Sequence, residues 1–533
     1  MARVSPSQFE SGSREWANRR LILLLAALSV AAVLRFAFLE QKPLWCDELA
    51  TLQRQELTLR EHIAALKGNH PLHELFLRVW MSPDASDVRL RLPSACFGIG
   101  AVILVGALVR SSGRRASLYL TWFVALSPLH LMYSRIGRPY ALAALLAILS
   151  NLCFLWAIRR PRFMALAAYA VATAAMIYAN LLSATLWLAQ GLFLLWFMRK
   201  RWRRLRPWIG AHAAVGLLIL PWMLYSAWGA ITWSEETTYT AQQMGRLFKL
   251  AHVTMALCVG ETVHPLNFKV VLPAAVGFGA ALLMGLRHAV RRRRSIAAFL
   301  AVQVFMVFGV ALYFGAAAPK HLIIMLPAWL GLCAIGIAQS RKPVVRVAAT
   351  GLIVLTMTAS LFNYFTDRQF TDADMVTPWR EITAAIEDQD GDASRPEDIF
   401  IGYQMDRGAY DMFRRYYRGG APVHYVDFEA WRGQLRRHLD EGPVWLLLHK
   451  GDPVEEIESW LAERYVTVSF IPFQMEEHTL KGLHEWRRAR GRQDDVFSWL
   501  ATLPGYARKY RSPLYRLYYV EPQEAEGAIS GGS

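Results

Sequence analysis

Between residues 20 and 364 the chain is a succession of apolar blocks, each close to the length that crosses a bilayer as a helix, joined by polar stretches that are short except at 40–89 and 228–269. No other feature limits the fold so strictly. In hydrocarbon every main-chain N–H and C=O has to be satisfied within the segment, and the helix does this. Eleven blocks read as spans: 20–39, 90–109, 117–134, 139–158, 163–180, 182–198, 208–227, 270–286, 296–315, 320–338 and 346–364. The joints between them differ. RSSGRR (110–115), RRPR (159–162), RKRWRRLR (199–206), RHAVRRRR (287–294) and SRKPVVR (340–346) are basic and fall at alternate junctions, in step with Arg19 and Arg20 before the first block. Lys and Arg accumulate on the cytoplasmic side of a membrane protein, so the pattern places the N-terminus inside.

The net charge of +17 therefore records topology, and a nucleic-acid partner is not expected. A cleavable signal peptide is not expected either, because the first apolar run is long enough to span. Five cysteines, at 46, 96, 153, 258 and 333, lack metal-ligand spacing and suggest no disulfide scaffold. The expectation is a mostly α, polytopic membrane protein of a bacterial inner (plasma) membrane. Residues 1–19 form a cytoplasmic tail and residues 20–365 the transmembrane domain. Residues 40–89, the turn near 135–138, residues 228–269 and the C-terminal region lie outside.

From 366 the composition changes. Short β-rich runs (DIFIGY, VHYVDF, VWLLLHK, VTVSFIP, LYRLYYVE) alternate with the helix-like PWREITAAIEDQ and VEEIESWLAERY. This reads as a C-terminal extracytoplasmic α/β domain over 366–522, followed by a disordered tail, 523–533.

The chemistry-bearing residues gather on the outer side. Asp47 and Glu48 stand where the first block leaves the membrane, beside the interfacial Trp45. GNHPLHELFLRVW (68–80) brings His70 and His73. YSRIGRPYAL (133–142) brings Arg135, Arg138 and Tyr140, and AAAPKHLIIMLPAW (316–329) brings Lys320 and His321. Basic residues on the outer face run against the inside bias and ask for a reason. Arg89 and Arg91 also do so and read as interfacial anchors. A carboxylate pair facing separated cations at a membrane surface suits a lipid-linked phosphate, held by charge-assisted hydrogen bonds, and a hydroxyl that gives up its proton.

LWCDELAT, NHPLHELFLRVW, VRLRLPSACFG, ALSPLHLMYSRIGRPYALAALL and KHLIIMLPAW resemble, in this order, segments of the polyprenyl-phosphate-sugar-dependent glycosyltransferases of the GT-C fold. The likeness is to the bacterial branch related to protein O-mannosyltransferases and the lipid A aminoarabinose transferase. It covers roughly residues 20 to 365, and TPWREITAAI followed by EDIFIGY resembles the start of that branch's outer domain. The resemblance implies transfer from a polyprenyl-phosphate sugar to an extracytoplasmic acceptor (glycolipid, polysaccharide or protein). Asp47 would be the general base, and Glu48 would support it or help bind the substrate, while Arg138 and Lys320 would bind the donor phosphate. One base and a direct displacement would invert the anomeric carbon. The residues on the same face add Arg135 and His321 as further phosphate-binding candidates, and His70, His73, Tyr140 and Trp45 as candidate substrate contacts. After Asn69 the chain reads HPLH where the family commonly has HPPL. Adjacent carboxylates can hold a divalent ion, but no metal cofactor is expected. The alternatives are a lipid-linked-sugar flippase, whose charges would line a path near the midplane, and a non-catalytic cell-envelope assembly protein.

Overall fold

The computed structural model describes residues 6–66, 70–81, 86–200, 202–232, 246–263, 267–292, 295–314, 318–366, 377–388, 398–402, 408–449, 452–476 and 512–522. The chain divides into two compact units, Met1–Glu40 with Ala50–Arg368, and Gln41–Leu49 with Gln369–Ser533.

The first unit is built of helices. α1 (Pro6–Phe36) precedes three short helices, α2 (Cys46–Glu56), α3 (Leu59–Ala65) and α4 (Pro71–Trp80). Then follow α5 (Asp87–Leu108), α6 (Arg114–Leu126), α7 (Pro128–Ser134), α8 (Tyr140–Arg159), α9 (Phe163–Ala179), α10 (Ala184–Met198) and α11 (Arg206–Thr232). The last are α12 (Arg246–Val259), α13 (Phe268–Arg291), α14 (Ile296–Tyr313), α15 (Pro319–Leu322), α16 (Leu326–Gln339) and α17 (Pro343–Phe365). All the apolar blocks are helical, and among the described residues eight helices are long and apolar enough to cross a membrane. The other three blocks differ for local reasons. α1 carries Arg19, Arg20 and Arg35, α9 has 17 residues, and block 117–134 is cut at Ser127–Pro128. The stretch before residue 20 continues α1 outward from Pro6, and α12 lies in the segment read as an outer loop.

The cut at Ser127 is closed by an exchange of arginines. The Ser127 hydroxyl accepts from the His130 N–H, and Pro128 occupies the first helical position, where no donor is needed. The α6 carbonyls of Val124 and Ala125 are left at a helix end, and Arg35 of α1 donates to both at 3.2 Å. In return Arg135, just past α7, donates to Leu34, Arg35, Ala37 and Phe38 carbonyls at the end of α1, at 2.7–3.3 Å. The end of α6 is thus closed by a cation from α1, and the end of α1 by a cation that follows α7.

Deeper in the unit, α8, α9, α10 and α14 share a neutral polar layer. Asn151 and Gln303 exchange amide hydrogen bonds at 3.1 and 2.7 Å. Gln190 donates to Asn151 and Ser150, and accepts from Tyr169. Leu217, Leu224, Leu272, Leu283 and Val347 are exposed, as lipid-facing residues are. α16 is the buried centre. Against α13 it packs closely enough that a Cβ on Gly336 would run into the Ala281 carbonyl, and one on Gly285 into the Leu332 carbonyl.

The basic joints follow α5, α8, α10, α13 and α16. The α7–α8 turn, the end of α9 and the start of α15 fall at the junctions between them.

The second unit holds a five-stranded mixed sheet in the order β2–β1–β3–β5–β4, with β1 (Asp398–Ile401), β2 (Val423–Tyr425), β3 (Val444–His449), β4 (Tyr465–Glu476) and β5 (Ser512–Pro522). β1 is parallel to β2 and β3, whereas β5 is antiparallel to β3 and β4. Parallel neighbours need a crossover, and helices supply it. The helices are α18 (Trp379–Glu387), α19 (Gly408–Tyr416), α20 (Trp431–Leu439) and α21 (Val454–Ala462). Phe400, Leu435, Leu439, Leu446, Ile457 and Trp460 form its core. Every β-rich run of the sequence became a strand; the tail 523–533 lies outside the described residues.

Candidate active site

Residues 41–49 belong to the second unit. Asp47 is half-buried and Glu48 fully buried, both in the first turn of α2, where carboxylates suit the helix dipole. The Trp45 N–H donates to Glu48 Oε2 at 3.0 Å, which closes the start of the helix on itself. The Leu44 N–H donates to the Tyr416 hydroxyl of α19 at 2.8 Å. From Asp47, α2 runs on through Thr51, Arg54 and Gln55.

Within the first unit, Thr51, Arg54 and Gln55 converge on Glu74 of α4, a buried carboxylate the sequence reading did not single out. Arg54 Nη2 lies 2.7 Å from Glu74 Oε1, Thr51 donates to the same oxygen at 3.2 Å, and Gln55 donates to Oε2 at 3.2 Å. Arg138 arrives from the turn before α8. Its Nη1 donates to the Thr51 hydroxyl at 2.8 Å and stands 3.7 Å from Glu74 Oε1. Two guanidiniums thus share one carboxylate. Burial on its own would raise the Glu74 pKa, but Arg54 and Arg138 outweigh it and hold the group below the ordinary carboxylate value. A signal for Glu74 was present. Pro71, Glu74 and Leu77, three residues apart on α4, are all buried, so this acid sits on the apolar stripe.

A second group is aromatic. His70 starts α4 in the left-handed region, with φ 44°, ahead of Pro71. Its Nδ1–H donates to the Ala179 carbonyl at the end of α9, 2.9 Å away, which leaves Nε2 as the acceptor of the neutral ring. The ring stacks on His321 at 6.3 Å and meets Tyr140 edge-on at 6.1 Å. Tyr140 in turn meets Tyr133 at 4.9 Å, and the Tyr133 hydroxyl donates to Glu261 Oε2 at 2.7 Å. Burial, followed by the charge of Arg138, pushes His70 well below its usual pKa. Burial takes His73 down to about 4, against the opposing pull of Glu74. Both imidazoles are therefore neutral at physiological pH.

Tyr140, two residues after Arg138, thus meets His70 and His321, which come from distant parts of the sequence. Lys320 precedes His321 in α15 and is half-buried. His73 is buried beside Glu74 in the chain, and neither ring nitrogen has a hydrogen-bond partner among the described residues. Arg135 is engaged with the α1 carbonyls described above. Arg91 donates to the Leu39 carbonyl, and Arg89 to that of Trp80. Glu261 and Arg54 join the candidates; Glu261 follows Gly260, whose φ of 71° turns the chain out of α12.

No protein-family model matches the sequence, and no curated protein does. Solved structures do match. ArnT from Cupriavidus metallidurans bound to undecaprenyl phosphate aligns with a TM-score of 0.51 at 15% identity, over 84% of this chain and 96% of that one. The Archaeoglobus fulgidus oligosaccharyltransferase in complex with Zn and sulfate aligns with a TM-score of 0.50 at 10% identity, over 93% of this chain and 88% of that one. Its apo form gives 0.50 at 11% identity, over 94% and 88%. At such low identity the likeness is one of backbone architecture: this chain has the GT-C fold that ArnT and the oligosaccharyltransferase share.

Proposed function

We propose that the protein is an integral membrane glycosyltransferase that moves a sugar from a polyprenyl-phosphate donor to an acceptor outside the cytoplasm. The observation that carries this reading is the arrival of Arg138 in the Thr51–Glu74 cluster beside the His70, Tyr140 and His321 rings. A guanidinium suits a phosphate, and ring faces suit a sugar. The neutral histidines leave the local charge to the guanidiniums. A protein of the same fold, ArnT, is bound to undecaprenyl phosphate. By the positive-inside rule the basic joints are cytoplasmic, which puts this cluster and the C-terminal α/β domain on the outer side of a bacterial plasma membrane.

In the proposed reaction the acceptor hydroxyl oxygen attacks the anomeric carbon from the face opposite the phosphate. The bond from that carbon to the phosphate oxygen breaks, and its electron pair leaves with the polyprenyl phosphate, so configuration inverts. The hydroxyl proton passes to Asp47, with Glu48 holding the start of α2. The leaving group is already an anion and needs cations rather than an acid. Arg138 would supply one and Lys320 a second, with His321 a hydrogen-bonding partner for the phosphate. Preorganised charge in a water-poor site is worth several kcal/mol in such a step.

Binding of polyprenyl phosphate to the purified protein in lipid nanodiscs tests the reading. Arg138→Ala should weaken binding roughly tenfold to a hundredfold, the worth of one hydrogen bond to a charged group. Unchanged affinity would remove Arg138 from the donor site. Movement of lipid-linked sugar across vesicles without glycosyl transfer would favour a flippase instead.

A further inference from the structure

A different cluster lies in the second unit, remote in sequence from the Glu74 and His70 groups. We propose that Asp398, His424 and His438 form a binding site for a divalent transition metal of the zinc class. His424 Nε2 lies 2.8 Å from Asp398 Oδ1, and His438 Nδ1 lies 2.6 Å from Asp398 Oδ2. One ligand atom from each residue falls within 4.8 Å of the others, close enough for a single ion to draw all three in. Three elements hold them. Asp398 opens β1, His424 is on the neighbouring β2, and His438 is in the last turn of α20.

A buried ring backs the cluster. Phe400, two residues after Asp398 on the same face of β1, is paired in register with His424 and fully buried. Its ring stacks on His424 at 4.9 Å and meets His438 edge-on at 5.0 Å, so both imidazoles are set against one apolar floor. On the other side the three residues are partly exposed, which gives an ion a path in. Two imidazole nitrogens and one carboxylate oxygen suit zinc or cobalt, whereas magnesium and calcium prefer all-oxygen shells. Coordination replaces two N–H···O bonds by two N–metal bonds. Each ring would coordinate through the nitrogen that faces Asp398 and carry its proton on the other nitrogen. Solvent would fill the remaining position. The ion would fasten β2, a three-residue edge strand, to β1 and α20.

The test uses the full chain in detergent. Cobalt(II) titration of wild type should give one equivalent with the visible bands of a four-coordinate centre, displaced by zinc. H424Q/H438Q, which keeps hydrogen-bonding groups beside Asp398, should lose that equivalent, and so should D398N. Zinc should raise the unfolding midpoint of wild type but not of the variants. Equal cobalt uptake by wild type and both variants, or none by wild type at a roughly hundredfold molar excess of metal, would overturn the site. Polyprenyl-phosphate binding is measured alongside, and its independence from these variants separates this proposal from the transferase reading.

Discussion

Two polar regions inside the first unit solve the problem of burial in opposite ways. The amide layer of Asn151, Gln190 and Gln303 is neutral and closed. Its amides donate to and accept from one another, with Ser150 and Tyr169 completing the set. Such a network joins helices and leaves little for a ligand. The Glu74 cluster is charged, with Arg54 and Arg138 both reaching a single buried carboxylate. The first region therefore reads as architecture and the second as a charged cluster suited to an anionic ligand.

Substitutions can break or sharpen that contrast. Glu74→Gln strips the carboxylate from two guanidiniums and should destabilise the protein by about 3–5 kcal/mol, as breaking a buried pair does. Added polyprenyl phosphate should restore part of that loss, which thermal unfolding with and without the lipid would show. Gln190→Leu removes a neutral partner and should cost about 1–3 kcal/mol, with donor affinity unchanged in the nanodisc assay. If Gln190→Leu weakened donor binding as much as Arg138→Ala, the contrast would fail.

The smallest effect concerns His73. Its native pKa of about 4 lies below the 6.5 of a free imidazole. Between those values the unfolded chain binds a proton that the native chain refuses. Stability is therefore full above the higher value and declines as pH falls toward the lower one. His73→Leu should lose less stability than wild type across this window, read from unfolding midpoints at neutral and mildly acidic pH. An unchanged slope would show that His73 does not carry the pH dependence.

Much of this was legible in the sequence because hydrophobic length and arginine placement are strong signals. The apolar blocks became helices, and the C-terminal β-rich runs became neighbours in one sheet. Arg138, His70, Tyr140 and His321 were marked as outer-side residues and came together. The features that escaped depend on partners far along the chain. The break at Ser127–Pro128 is stabilised by Arg35, 90 residues from Ala125. Glu74 looked like one acid of an amphipathic helix, and its burial follows only once α2 and the α7–α8 turn close over it. α12 runs only from Arg246 to Val259, below the length that marks a span. Asp398, His424 and His438 are 26 and 40 residues apart when counted from Asp398, with none of the close spacing that betrays a metal motif.

The proposed transfer rests on Asp47 as the proton acceptor. The most direct measurement is single-turnover release of polyprenyl phosphate from a polyprenyl-phosphate sugar, with protein and membrane-extracted acceptors in vesicles. Wild type and Asp47→Asn should bind the donor alike, while the variant releases polyprenyl phosphate slower by about 10²–10⁴-fold. Release by Asp47→Asn at the wild-type rate would contradict the mechanism.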